Sequence, residues 1–149
     1  MGKWVILLGG GAFGPESIRR MRFQGYTSIT DWGRKQLDAE FPEGKASFQF
    51  DYNGDIRNDY DPKALSSLPW PDPQCVILRY TSLEVLSRII SAEDFPEDVL
   101  IDIDGAEVSL PAGWEEARGK GGTGLAIYGK SCYTESIKQE KQEESRCLN

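Results

Sequence analysis

Lys3-Trp4-Val5-Ile6-Leu7-Leu8-Gly9-Gly10-Gly11-Ala12-Phe13-Gly14 is the stretch from which the rest of the chain takes its reading. The apolar run does not alternate, the pattern of a strand covered on both faces. Gly9–Gly14 turns the chain. Pro15 suits the first position of a helix, with Ile18 and Met21 on one face and Gly25 as its C-terminal cap. Tyr26–Thr30 then reads as a short strand.

Further along, Asp31 is placed to cap a helix running to Phe41, with Leu37 and Phe41 at i, i+4 and Pro42 as the stop. Ser47–Tyr52 alternates, with Phe48, Phe50 and Tyr52 on one face, as in a half-buried strand. Asn53-Gly54 invites a tight turn, but a two-residue hairpin would set conflicting faces against each other. Asp61-Pro62 opens a short helix that buries Leu65 and Leu68. Pro69-Trp70-Pro71-Asp72-Pro73 is a stiff connector, unfit for a helix or a central strand.

The second half repeats the plan. Gln74–Tyr80 is a strand. Thr81-Ser82-Leu83-Glu84 forms a capping box, and Leu83, Leu86, Ile89 and Ile90 make the buried stripe of a helix. Val99–Asp104 is a strand that a four-residue loop, 104–107, turns back toward Leu110. Leu125–Tyr128 is a last strand, and from Lys130 the chain is polar. The expected fold is therefore α/β. One domain, 1–129, has a mixed sheet built from two strand–helix–strand units with helices on its faces, joined at 69–73. A polar tail, 130–149, is frayed or disordered.

The chain has 149 residues, of which 39% are hydrophobic and 28% charged, and its formal charge is −7. That length suits one domain that folds without staples. No run approaches the ~20 apolar residues of a membrane helix. The short apolar run near the N-terminus lacks the length and cleavage site of an export signal, so a cytoplasmic protein is expected. The chain contains no histidine, which removes histidine triads, general bases and ligands. Cys75, Cys132 and Cys147 match no disulfide or zinc spacing. No cofactor or metal is expected, and the balance leans away from an enzyme. The negative charge disfavours direct nucleic-acid binding.

Gly9, Gly11 and Gly14 fit G-x-G-x-x-G after a strand and before a helix, with Asp31 at the end of the next strand. The segment resembles the first unit of Rossmann-type proteins, and the resemblance implies a nucleotide or dinucleotide held by Gly9, Gly11, Gly14 and Asp31. Against it, Pro15 removes an amide, the helix is short, and no second half follows. A structural turn is the simpler reading. Gly124–Ser131 also fits a phosphate-loop pattern, but its variable residues are strand-like. Asp102, Asp104 and Glu107 offer oxygen ligands without the spacing of a calcium loop, so a solvent-facing strand and turn is preferred.

Charge distribution carries the leading reading. Between Arg88 and Arg118 there is no basic residue, and nine acids fall in that interval: Glu93, Asp94, Glu97, Asp98, Asp102, Asp104, Glu107, Glu115 and Glu116. Asp51, Asp55, Asp59 and Asp61 form a second cluster, interleaved with Tyr52 and Tyr60. Trp70 and Trp114 fall in expected loops. Acids mixed with aromatics suit a surface that grips a basic protein. In character the chain resembles the small acidic immunity proteins of bacterial toxin–immunity pairs. That resemblance implies a non-enzymatic inhibitor of a cognate toxin domain, such as a nuclease. The expected contact residues are Asp51, Tyr52, Asp55, Asp59, Tyr60, Glu93, Asp94, Glu97, Asp98, Asp102, Asp104, Glu107 and Trp114.

Overall fold

β1 (Lys3–Gly9) is the axis of the molecule, and its residues from Val5 to Gly9 are buried. The structure, a computed structural model, describes residues 3–103, 110–117 and 127–130. On one side of β1 lies β5 (Gln74–Tyr80), and on the other β6 (Leu100–Asp102). Outward from β5 come β4 (Gly44–Phe50), β3 (Gln36–Phe41) and β2 (Ser28–Asp31). Outward from β6 come β8 (Ile127–Lys130) and β7 (Trp114–Ala117). Every neighbouring pair in this eight-stranded sheet is antiparallel.

This corrects the expected α/β architecture. The helices α1 (Pro15–Arg19), α2 (Pro62–Ser66) and α3 (Leu83–Ile90) are short, and none joins two parallel neighbours. An unbroken apolar run reports burial on two faces, which parallel strands usually have but do not monopolise. Here the two covers come from different parts of the chain. Val5 and Leu7 face a cluster with Phe48, Leu78 and Tyr80, closed by Val85, Leu86, Ile89 and Ile90 of α3 and by Ile18, Phe23 and Phe95. Ile6 and Leu8 face the other way, toward Cys75, Leu100 and Ile127, beneath Ile56 and Leu68.

The expected helix from Asp31 to Phe41 is instead β3. Leu37 and Phe41 share a face at spacing four in a helix and also in a strand. Ala39, buried between them, decides for the strand, while Asp38 and Glu40 stay half-exposed on the other face. Pro42 sits in the β3–β4 hairpin. Of the other local expectations some hold and some shift: the strand expected over Ser47–Tyr52 runs Gly44–Phe50, with Tyr52 in a 3-10 turn at Tyr52–Gly54, and the cap expected at Thr81 falls one residue later. β5 has the expected bounds, and Phe48 and Phe50 of β4 are buried. Asp61 caps α2 by accepting the Lys63 N–H at 2.9 Å. On α3 the cap is Ser82, whose hydroxyl accepts the Val85 N–H. That register turns Leu83 outward, 40% exposed, and puts Val85 into the stripe. Asn53 and Gly54 both have positive φ, 64° and 78°, but they lead into a second 3-10 turn at Arg57–Asp59 rather than a return strand. The 104–107 loop and the tail beyond Lys130 lie outside the described residues.

Candidate functional site

Because the strands alternate in direction, β1 and β4 end where β5 and β6 begin. Gly9 lies opposite Gln74, Leu8 opposite Leu100, and Phe50 opposite Val76. The loops gathered there are 10–14, 51–73 and 91–99. Between them runs a groove of about 470 Å³, lined by Gly10, Gly11, Ala12, Phe13, Ser17, Arg20, Trp70, Asp94, Pro96 and Asp98. Phe13 is buried, and its N–H donates to the Gly10 carbonyl at 2.9 Å. A Cβ on Gly9 would meet the Phe13 side chain at 2.5 Å, and one on Gly10 would meet the Trp70 ring at 2.8 Å. These two glycines therefore let aromatic side chains close on the backbone. On the far wall, buried Phe95 anchors the 93–98 segment. Asp94 accepts the Arg22 backbone N–H at 2.8 Å, with the Arg22 guanidinium 3.7 Å away.

That geometry replaces the Rossmann-like context. Gly11 and Gly14 have open space where a Cβ would stand, so neither is held to glycine by packing. α1 is a five-residue helix, too short for a substantial dipole. Asp31 sits on β2 at the far side of the sheet, four strands from β1. Its carboxylate accepts the Arg19 guanidinium at 2.9 and 3.2 Å and the Gly33 N–H at 2.8 Å. The Arg19 hydrogen bonds, then the Gly33 amide, hold the Asp31 carboxyl below its usual range. Beside the glycine loop the charges are mixed, with Asp98 near Arg20 and Asp94 paired with Arg22, so the lining does not concentrate positive charge for a phosphate.

The expected contact residues are dispersed. Asp51 accepts the N–H groups of Ile56 and Arg57 at 2.7 and 3.2 Å and so shapes the loop that covers Ile6 and Leu8. Tyr52 lies under Arg34 and Lys35, 4.9 and 5.9 Å from its ring, and its hydroxyl accepts from Arg34 at 3.0 Å. The Tyr60 hydroxyl donates to Asp102 at 2.6 Å. Asp102, 4% exposed, is not on a solvent-facing edge, because β6 is an inner strand and Asp102 points under the 51–68 cover. Trp114 is half-buried against Phe95, 6.1 Å between ring centres. Asp55, Asp59, Glu93, Glu97 and Asp98 are exposed. Asp104 and Glu107 lie outside the described residues.

A polar cluster that the sequence reading missed lies on the uncovered side of β2–β5. Asp38 accepts from Trp32 Nε1 at 3.0 Å, Gln36 Nε2 at 2.8 Å and Ser47 Oγ at 2.7 Å. Burial pushes its carboxyl up, but these three donors and the nearby Lys45 outweigh burial and hold it below the usual range. The Gln36-Leu37-Asp38-Ala39-Glu40 alternation is the sequence signal for this face. Burial pushes the Cys75 thiol up to about 12, aided by the Asp51 and Asp102 carboxylates, so it is no nucleophile near neutral pH. Among the described residues, no group of three or more histidine, cysteine or acidic side chains is placed to hold a metal ion, and no helix is long and apolar enough to cross a membrane. No family model, curated protein or solved structure matches this chain.

Proposed function

We propose that this chain is a non-enzymatic binding protein that neutralises a basic protein partner, in the manner of an immunity protein that covers a bacterial toxin domain such as a nuclease. The observation that carries the reading is the groove at the β1 end of the sheet. It sets the half-buried Trp70 indole against the exposed Asp98 carboxylate, with Arg20 and the Arg22-paired Asp94 in the same lining, on loops anchored by Phe13 and Phe95. Glu97 adds exposed charge beside it, and Asp55 and Asp59 project from the neighbouring loop. Carboxylates at a rim steer a basic partner, and a desolvated indole supplies the anchor. The contact is narrower than the acidic intervals of the sequence, since Asp51, Tyr52, Tyr60, Asp94 and Asp102 are engaged within the fold.

The test uses a Lys/Arg-rich peptide carrying one aromatic residue, titrated into the ¹⁵N-labelled chain. Amide shifts are expected at residues 10–13 and 94–98, weakening as salt rises. Replacing Glu97→Lys and Asp98→Lys together should cost at least ~10-fold in affinity. The pair Glu40→Lys and Glu84→Lys changes the total charge equally, away from the groove, and should cost no more than about twofold. Equal losses from both pairs would show only general charge attraction and overturn the assignment.

A further inference from the structure

Among the described residues, the two edges of the sheet are built differently. β7, at one end of the strand order, carries Glu115 and Glu116, both exposed. Charged side chains of that kind discourage an edge from pairing with another chain. β2, at the other end, reads Ser28-Ile29-Thr30-Asp31, without lysine or proline, and all four residues are exposed. Its one charge, on Asp31, is already matched by Arg19. Of the four exposed large apolar side chains among the described residues, three lie on or beside β2: Tyr26 at 50%, Ile29 at 38% and Trp32 at 60%.

We infer that β2 is an interface at which two copies of this chain pair edge to edge, continuing one sheet into the other. The backbone directions set the register. Trp32 donates its N–H to Gln36 at 2.9 Å, so alternation along the antiparallel pair turns Thr30 inward to β3 as well, while at the start of the strand the Thr27 N–H donates to the Glu40 carbonyl at 2.7 Å. Ile29 and Asp31 then present their N–H and C=O groups outward. An antiparallel two-fold centred on Thr30 sets Ile29 of each copy against Asp31 of the other and uses all of these groups in four hydrogen bonds. Thr30 meets Thr30, and Ser28 lies beside the Trp32 indole of the other copy. Charge favours a second copy as the occupant. A chain of net charge −7 repels itself over most of its surface, yet residues 23–30 carry no charge at all. The self-pairing brings no like charges opposite one another. A contact this short is weak, with half-assembly expected at about 10–100 µM.

Sedimentation equilibrium on the full chain tests this. The native protein should move from 16.7 kDa toward twice that mass over this range. Ile29→Lys and Ile29→Pro should both stay at the monomer mass, since the proline removes only an outward N–H that the fold does not use. Leu83→Lys, which removes the fourth exposed apolar side chain away from the edge, should still dimerise. In a background with Cys132→Ser and Cys147→Ser, Thr30→Cys should oxidise to a covalent dimer and Ser28→Cys should not. A native chain that remains monomeric, as it would if its own residues 131–149 or another protein's strand took this edge, overturns the proposal. So does dimerisation that survives both Ile29 variants, or a covalent dimer that forms as readily from Ser28→Cys.

Discussion

Asp51 shows how little a formal charge says about a residue's job. Its carboxylate spans two backbone N–H groups, those of Ile56 and Arg57, and so fixes the start of the loop that roofs one face of the sheet. Asp51→Ala leaves both donors without their acceptor, and the cost of unmet half-buried donors is about 1–3 kcal/mol. Chemical denaturation should show that loss, while Asp51→Asn, which keeps one acceptor oxygen, should lose less. A mutant as stable as the native chain would mean that water replaces the carboxylate. Asp102 is a second case, buried in the sheet with the Tyr60 hydroxyl upon it. Neither role was visible in the sequence, where both residues stand in acidic runs. For Asp102 the partner is remote, 42 positions away at Tyr60, and only the folded register brings the two together, whereas Asp51 closes a local turn onto residues five and six positions on, which its place in an acidic run does not announce.

At the level of the elements, what could be read were the strong local patterns. β5 and the cap of α2 follow from apolar periodicity and from Asp-Pro chemistry. β3 was lost because two apolar residues at spacing four satisfy both a helix and a strand, and the neighbouring Ala39 was too weak a signal to arbitrate. Glycines divide the same way. Gly44 adopts φ +149°, and a Cβ there would stand 2.5 Å from Thr81 Oγ1, which itself accepts the Lys45 N–H at 2.8 Å. Gly44→Ala should therefore destabilise the β3–β4 hairpin and the start of α3 together, by about 1–3 kcal/mol. Gly11→Ala, in open space, should change stability by less than about 0.5 kcal/mol. Thermal melts of the two variants make the comparison. A costly Gly11→Ala would show that the loop is held by something other than packing.

For the molecule as a whole, Asp31, Asp38 and Glu43 contribute to the acid limb of the stability curve. Arg19 lowers Asp31 and Arg88 lowers Glu43, and hydrogen bonds lower Asp38 against its own burial. Each carboxyl has a lower pKa folded than unfolded, so the unfolded chain binds protons first as pH falls. The stabilisation is complete above the ordinary values of 3.8 and 4.5 and is lost as pH drops through them toward the folded values. Denaturant midpoints should be flat from about pH 7 to 5 and fall below ~4.5. Asp38→Asn should make that fall shallower, and an unchanged slope would remove Asp38 from the account. The same scale shows why the topology escaped the sequence. Strand direction depends on pairings between segments far apart, and a buried apolar run is compatible with parallel or antiparallel neighbours.

The central place of β1 also dictates an order of events. Its two neighbours are recruited from late in the chain: Leu7 pairs with Val76, and Ile6 with Asp102. While a ribosome is still extending the chain, Trp4–Leu8 has no native neighbour until Gln74–Tyr80 has emerged, and its second flank stays open until Leu100–Asp102 follows. The most water-averse strand is thus made early and sheltered late, the circumstance in which nascent chains recruit holding factors or aggregate.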